Sequence, residues 1–349
     1  MSLVEESDAL HARVRLFAGG ASNERFEALA LDIARFQARW SPGFRRLCER
    51  HGDFSSVEQI PAVPSDAFRL ARVAVHPPEL DVARFVTSGT SGDERGTHYF
   101  RTTATYAEVA LAWGRPALCP TGTGPRVVLA LAQDPGDPGE SSLGFMMRLF
   151  MRAFDGRERD AWLLEAGRVR VDALERALGD ARPNDEPVLI LAASFALVAL
   201  LDALRGARLQ VPEGTRVMQT GGFKGRTREI DPAVLRADLA RAFGIPPADV
   251  IGEYGMTELS SQLYEREPGS YRPPPWLRVA AVDPLDLREL PEGEVGLARF
   301  VDLANVDSAV AVLTRDLVRC HGDLVELVGR APGAPPRGCS LAVEALLGS

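Results

Sequence analysis

Val86-Thr87-Ser88-Gly89-Thr90-Ser91-Gly92 puts two glycines and four hydroxyl side chains into its last six residues, directly after the strand-like run Arg84-Phe85-Val86. Glycine lets successive backbone N–H groups turn toward one anion without a Cβ in the way, and Ser/Thr hydroxyls add donors that rotate to suit its oxygens. The stretch reads as a phosphate cradle. It is not a Walker A loop, because no Gly-Lys-Ser/Thr follows, and it lacks the G-x-G-x-x-G order of a dinucleotide turn. Clusters of Gly, Ser and Thr also build ordinary loops, so the reading depends on what accompanies it along the chain.

Downstream, to about residue 265, short apolar runs at 126–131, 187–192, 216–219 and 249–251 alternate with helical patterns. That alternation predicts an α/β class with a largely parallel sheet, whose ligands sit at the carboxyl ends of the strands. Upstream, residues 3–50 read as helix from apolar positions such as Phe26, Leu29, Leu31, Ile33 and Phe36, and Ile60-Pro-Ala-Val-Pro64 as an extended connection. Past Tyr271-Arg-Pro-Pro-Pro275 the pattern changes to short β-like runs at 277–282, 295–301, 309–313 and 323–328. The division expected is an α/β core over 1–270, a small β-rich subdomain over 271–328, and a short C-terminal segment over 329–349.

With 349 residues, 46% hydrophobic and 25% charged, the chain can build a full-sized core. A net charge of -8 argues against nucleic-acid and anionic-membrane partners. The acidic start, Met1-Ser-Leu-Val-Glu-Glu-Ser-Asp8, is unlike a secretory signal, so a cytoplasmic location is expected. The apolar run 188–201 falls short of the ~20 residues that a membrane span needs, and reads as a buried strand entering a helix. Cys48, Cys119, Cys320 and Cys339 show no paired spacing, nor do the five histidines show metal-ligand spacing. Lysine occurs once among the 40 basic residues, as Lys224. A compact ammonium kept where arginine serves everywhere else hints at a site that needs a point charge, and a chance survivor is the alternative.

Lys224 lies in a glycine-rich turn, Gly221-Gly-Phe-Lys-Gly-Arg226, after a predicted strand. Glu253-Tyr-Gly-Met-Thr-Glu258 follows another and supplies an aromatic face, a glycine, a hydroxyl and a carboxylate. These are parts for stacking a base, touching a phosphate and holding Mg²⁺, which typically binds one or two carboxylates plus substrate phosphates. Thr314-Arg-Asp316 adds a carboxylate suited to a ribose diol, and Val328-Gly-Arg330 a guanidinium. Singly, each is compatible with an ordinary turn or surface charge.

In this order the motifs resemble those of the adenylate-forming superfamily of acyl- and aryl-CoA synthetases, peptide-synthetase adenylation domains and firefly-type luciferases. Residues 87–96 match its phosphate loop, with Arg95 in place of lysine, 254–258 its Tyr-Gly-x-Thr-Glu motif, and 314–316 its Thr-Gly-Asp motif, with Arg315 in place of glycine. The resemblance implies a fold of layered α/β subdomains with a small β-rich subdomain, here without the usual C-terminal lid domain. It implies ATP bound by Thr87, Ser88, Gly89, Thr90, Ser91, Gly92, Arg95, Gly221, Gly222, Tyr254, Gly255, Thr257, Asp316 and Arg330, and Mg²⁺ at Glu258. With no lid lysine, Lys224 becomes the catalytic candidate.

The stretches Ile60-Pro-Ala-Val-Pro-Ser-Asp-Ala-Phe68, Tyr254-Gly-Met-Thr-Glu-Leu-Ser-Ser-Gln262, Asp302-Leu-Ala-Asn305 and Arg337-Gly-Cys-Ser-Leu341 are similar to one branch, the LuxE-type acyl-protein synthetases. That branch activates a fatty acid as acyl-AMP and moves it to a cysteine near the C-terminus, here Cys339, for delivery to a partner such as an acyl reductase or carrier protein. A phenylacetate-CoA-ligase-like synthetase and a nonenzymatic nucleotide- or acyl-binding protein are the alternatives. Cys48, Cys119 and Cys320 read as core, Trp276 as packing, and His98 and His321 carry no expected role.

Overall fold

The computed structural model describes residues 1–87, 95–120, 127–136, 139–154, 161–181, 186–221, 230–332, 342–344, 346 and 347. The N-terminal helical stretch is three helices: α1 (Leu3–Ala18), α2 (Phe26–Trp40) and α3 (Pro42–His51). Two local signals divide it. Gly19 caps α1 and Gly20 takes φ +69°, where a side chain is strained. The Ser41 side chain accepts from the Phe44 N–H to cap α3, whose first residue is Pro42.

β1 (Val63–Pro64) and α4 (Ala67–Leu70) lead to a hairpin of β2 (Ala83–Val86) and β3 (Thr97–Phe100), which forms its own two-stranded sheet. Then come α5 (Ala104–Leu118), β4 (Val127–Leu131), α6 (Ser142–Phe154), the short pair β5 (Leu164–Glu165) and β6 (Arg168–Val169), α7 (Val171–Ala181), β7 (Val188–Ala193), α8 (Ser194–Leu204), β8 (Arg216–Thr220), α9 (Pro232–Phe243) and β9 (Val250–Tyr254). The remainder is β10 (Leu263–Glu267), β11 (Ser270–Arg272), β12 (Leu277–Val282), β13 (Val295–Asp302), β14 (Ala311–His321) and β15 (Leu324–Arg330).

One mixed sheet runs β12-β13-β14-β15-β11-β10-β9-β8-β7-β4, with β1 parallel to β14. β4, β7, β8 and β9 pair in parallel, as the alternation predicts. From β9 to β12 every pairing is antiparallel, so the β-rich stretch extends the same sheet. Along β4, Val127, Leu129 and Leu131 face a core shared with α7, α8 and α9, while Val128 and Ala130 face α5 and α6. Both faces are covered, which is why these strands read as unbroken apolar runs.

A third core joins α1–α3 to the antiparallel half through Ile33, Phe44, Phe300 and Val312. Ala342 and Leu346 pack into it as well. The Leu346 carbonyl accepts from Arg46 at 2.5 Å and lies 3.0 Å from where a Cβ on Gly43 would stand.

Candidate active site

β9 ends at Tyr254, and its phenol donates to Asp316 Oδ2 at 2.7 Å. The ring stacks on Phe300, with centroids 5.8 Å apart and planes 15° apart. Asp316 pairs across the ladder with Arg330, whose Nε lies 3.9 Å from Asp316 Oδ1. Thr314–Asp316 lies inside β14, in extended backbone that needs no glycine, so Arg315 is accommodated there. Arg315 also exchanges a backbone contact with Ala331, accepting its N–H at 2.8 Å.

Glu258 is 8% exposed, and burial pushes its carboxyl up to about 7 against the opposing pull of Arg330, with the Asp316 and Asp66 charges adding to the rise. Tyr254, Glu258, Asp316 and Arg330, spread over 77 positions of sequence, thus share one site. Among the described residues no group of three His, Cys, Asp or Glu could hold a metal unaided. A single buried carboxylate is the donor set of a Mg²⁺ that arrives already chelated by phosphates.

The loop bearing Thr257 and Glu258 is pinned from below. Asp302, fully buried and raised to about 6 by desolvation, accepts from the Ser260 and Ser261 N–H groups at 3.0 Å each and from the Ser261 hydroxyl at 2.7 Å. Asn305 donates to the Glu258 carbonyl at 2.9 Å and accepts from the Ser260 hydroxyl at 2.7 Å. Trp276, read as packing, is 2% exposed and also donates to Ser261 Oγ at 3.1 Å. The Asp302-Leu-Ala-Asn305 stretch is therefore the clamp of the Tyr254–Gln262 stretch.

On the cradle side, the Thr87 hydroxyl accepts from the Gly96 N–H at 2.9 Å, and the Thr87 N–H bonds the Gly96 carbonyl, closing the base of the turn. Arg95 is exposed. Ser88, Gly89, Thr90, Ser91, Gly92, Gly222, Lys224 and Cys339 lie outside the described residues. Gly221 takes φ +65° at the carboxyl end of β8, its carbonyl accepting from Ser194 Oγ at 2.6 Å, and Gly255 is exposed beyond β9.

Three contributors went unassigned in the sequence. His98 is 2% exposed and bonds the Thr257 carbonyl; the alternation along β3, which turns His98 and Phe100 inward, is the available signal. From the Ile60–Phe68 stretch, Phe68 packs edge-on to His98 at 5.5 Å, and the Asp66 charge adds to the rise at Glu258. Cys119 is buried as expected, whereas Cys48 and Cys320 are only partly buried, because each lies at the margin of its core. Burial raises all three thiols, Cys48 and Cys119 to about 11, which leaves little thiolate at neutral pH.

Among the described residues no helix is long and apolar enough to cross a membrane. A long-chain-fatty-acid–luciferin-component ligase of Vibrio harveyi is 21% identical over 315 residues, covering 86% of this chain and 82% of its own. Its Aliivibrio fischeri counterpart is 24% identical over 173 residues, 46% of each chain. A 2-hydroxyisobutyryl-CoA ligase, solved with 2-HIB-AMP and CoA, matches the fold with a TM-score of 0.64 at 15% identity, over 94% of this chain and 68% of its own. The profile of the LuxE acyl-protein synthetase family matches residues 20–347, and the chain belongs to that family of ATP-dependent acid ligases on the adenylate-forming fold.

Proposed function

We propose that the protein activates a long-chain carboxylic acid with Mg-ATP and then carries the acyl group on Cys339, for delivery to an acceptor protein. The observation that carries the reading is the meeting of Tyr254, Glu258, Asp316 and Arg330 at one site of a LuxE-family chain. Tyr254, braced by Phe300 and tied to Asp316, offers a flat face for adenine beside Gly221 and Gly222, and Asp316 and Arg330 take the ribose hydroxyls. Thr257 and the 87–92 turn hold the phosphates, with Arg95 and Lys224 neutralising them, and Glu258 is the protein ligand for Mg²⁺, which would screen the charge of the departing pyrophosphate.

In the first step a carboxylate oxygen bonds to the α-phosphorus and pyrophosphate leaves, giving acyl-AMP. In the second the Cys339 thiolate adds to the acyl carbonyl and AMP leaves, giving the thioester. Positioning and charge stabilisation supply most of the first step. The raised thiols of Cys48, Cys119 and Cys320 favour the remaining cysteine as acceptor.

Radioactive fatty acid with ATP, followed by peptide mapping, separates the steps. Cys339→Ser is expected to keep fatty-acid-dependent exchange of pyrophosphate into ATP while losing the hydroxylamine-labile protein label. Label on another cysteine would remove Cys339 from the mechanism. Full transfer to added CoA with no protein label would favour a CoA ligase, and absence of exchange a nucleotide- or acyl-binding protein.

A further inference from the structure

The cradle and the Glu258 loop belong to different sheets. β2 and β3, which flank residues 88–94, pair only with each other, while the Thr257–Glu258 loop hangs from β9 of the large sheet. No backbone ladder among the described strands sets the distance between them. Among the described residues, His98 of β3 bridges the gap, contacting the Thr257 carbonyl through Nδ1 at 2.8 Å and Ser308 Oγ through Nε2 at 2.8 Å.

The chemistry of the partners assigns the tautomer. A carbonyl only accepts, so Nδ1 carries the proton, and Nε2 accepts from the Ser308 hydroxyl. Complete burial holds the ring neutral, pushed down to about 4. The imidazole is wedged between Phe100, 4.2 Å between centroids, and the edge of Phe68, at 5.5 Å. Ser308 is held in turn. Its neighbour Asp307 accepts from Ser7 at 2.5 Å, contacts His11 Nε2 at 2.9 Å and lies 3.4 Å from Arg101 Nε. Ser7 and His11 sit on α1, ahead of the segment matched by the family profile.

We propose that His98 is a positioning residue for acid activation: its bond to the Thr257 carbonyl sets the separation between the Thr87–Gly96 pair at the base of the β2–β3 turn and the Thr257–Glu258 loop. The inference rests on the proposed function and adds a residue to it. His98 need not touch substrate. A phosphate site misplaced by about 1 Å costs on the order of 100-fold in rate, while adenosine contacts at Tyr254 and Asp316 are untouched, so the loss falls on kcat and not on the KM for ATP.

The test is steady-state pyrophosphate–ATP exchange, normalised to folded protein by thermal melting, in three variants. His98→Ala is expected to lower kcat about 30- to 100-fold with the KM for ATP within about threefold of wild type. His98→Asn, whose amide N–H stands where Nδ1–H stood, is expected to recover to within about tenfold of wild type. His98→Gln, which reaches only toward Ser308, should stay as slow as His98→Ala. Exchange in His98→Ala within twofold of wild type, or losses in all three variants that follow melting temperature without the Asn rescue, overturns the assignment alone. A wild type that exchanges nothing overturns the functional reading and this assignment with it.

Discussion

Glu258 is the residue at which burial and function pull against each other. Desolvation raises its carboxyl to about 7, whereas the Mg²⁺ ligation proposed for it needs the ionised form. The sign follows from that. Below pH ~7 the metal must displace a proton and its apparent affinity falls toward about tenfold per pH unit; above it, affinity levels off. Titrating Mg²⁺ into the ATP complex between pH 5.5 and 8.5 is expected to show this break. Glu258→Gln with the same nucleotide removes it and corrects for the nucleotide's own titration. An identical slope in both proteins would take Glu258 out of the metal site.

At the scale of elements, the Met256–Gln262 loop is irregular backbone held by β13 and the turn after it, with His98 and Trp276 adding one bond each. Asp302→Ala deprives the N–H groups of Ser260, Ser261 and Ala304 of one acceptor, and the Ser261 hydroxyl as well. Leaving such buried donors unmet costs on the order of 3 kcal/mol. Urea unfolding is expected to report that loss, with exchange activity falling further than stability does; Asp302→Asn, which keeps one oxygen, should lose less. A variant as stable as wild type would mean that the loop is ordered from elsewhere. This clamp also marks the limit of what the sequence conveys. The four parallel strands are legible because strands covered on both faces must be apolar throughout, and the motifs at 254–258, 314–316 and 328–330 because their residue types stand out singly; that Tyr254, Asp316 and Arg330 meet is what the fold adds. The pairing of Asp302 with Ser260 is a contact across 42 positions that no periodicity encodes. The isolation of the β2–β3 hairpin, and with it the part played by His98, depends on which strands find partners. The helical stretch over 3–50 is divided into three helices because Gly20 and the Ser41-Pro42 pair interrupt the apolar spacing.

At the scale of the whole molecule, three carboxyls among the described residues are interred above their ordinary range: Glu253 and Glu258 to about 7 and Asp302 to about 6, from 4.5, 4.5 and 3.8, with burial the leading cause in each. Because the folded chain holds these protons after the unfolded chain has released them, their contribution falls as pH rises from ~4 to ~7; neutral His98, pushed down to about 4 by burial, offsets part of that fall below pH ~6.5, and the three acids outweigh it. Asp307, held below its ordinary range by His11, Ser7 and Arg101 although burial opposes them, works the other way and loses its contribution in stronger acid. The melting temperature is therefore expected to be highest near pH 4 and several degrees lower at pH 8, at roughly 2 °C per kcal/mol for a chain of this size. A flat or rising profile over that interval would contradict the burial of these acids. The docked C-terminus has a kinetic consequence. Ala331, bonded to Arg315, and Ala342, packed into the core, flank residues 332–341, and a chain of that length reaches at most roughly 3.5 Å per residue. On the proposed chemistry the thiol is thus a tethered reagent, present at an effective concentration in the millimolar range however dilute the enzyme; self-acylation is then first order in protein, and neighbouring molecules do not compete for the adenylate.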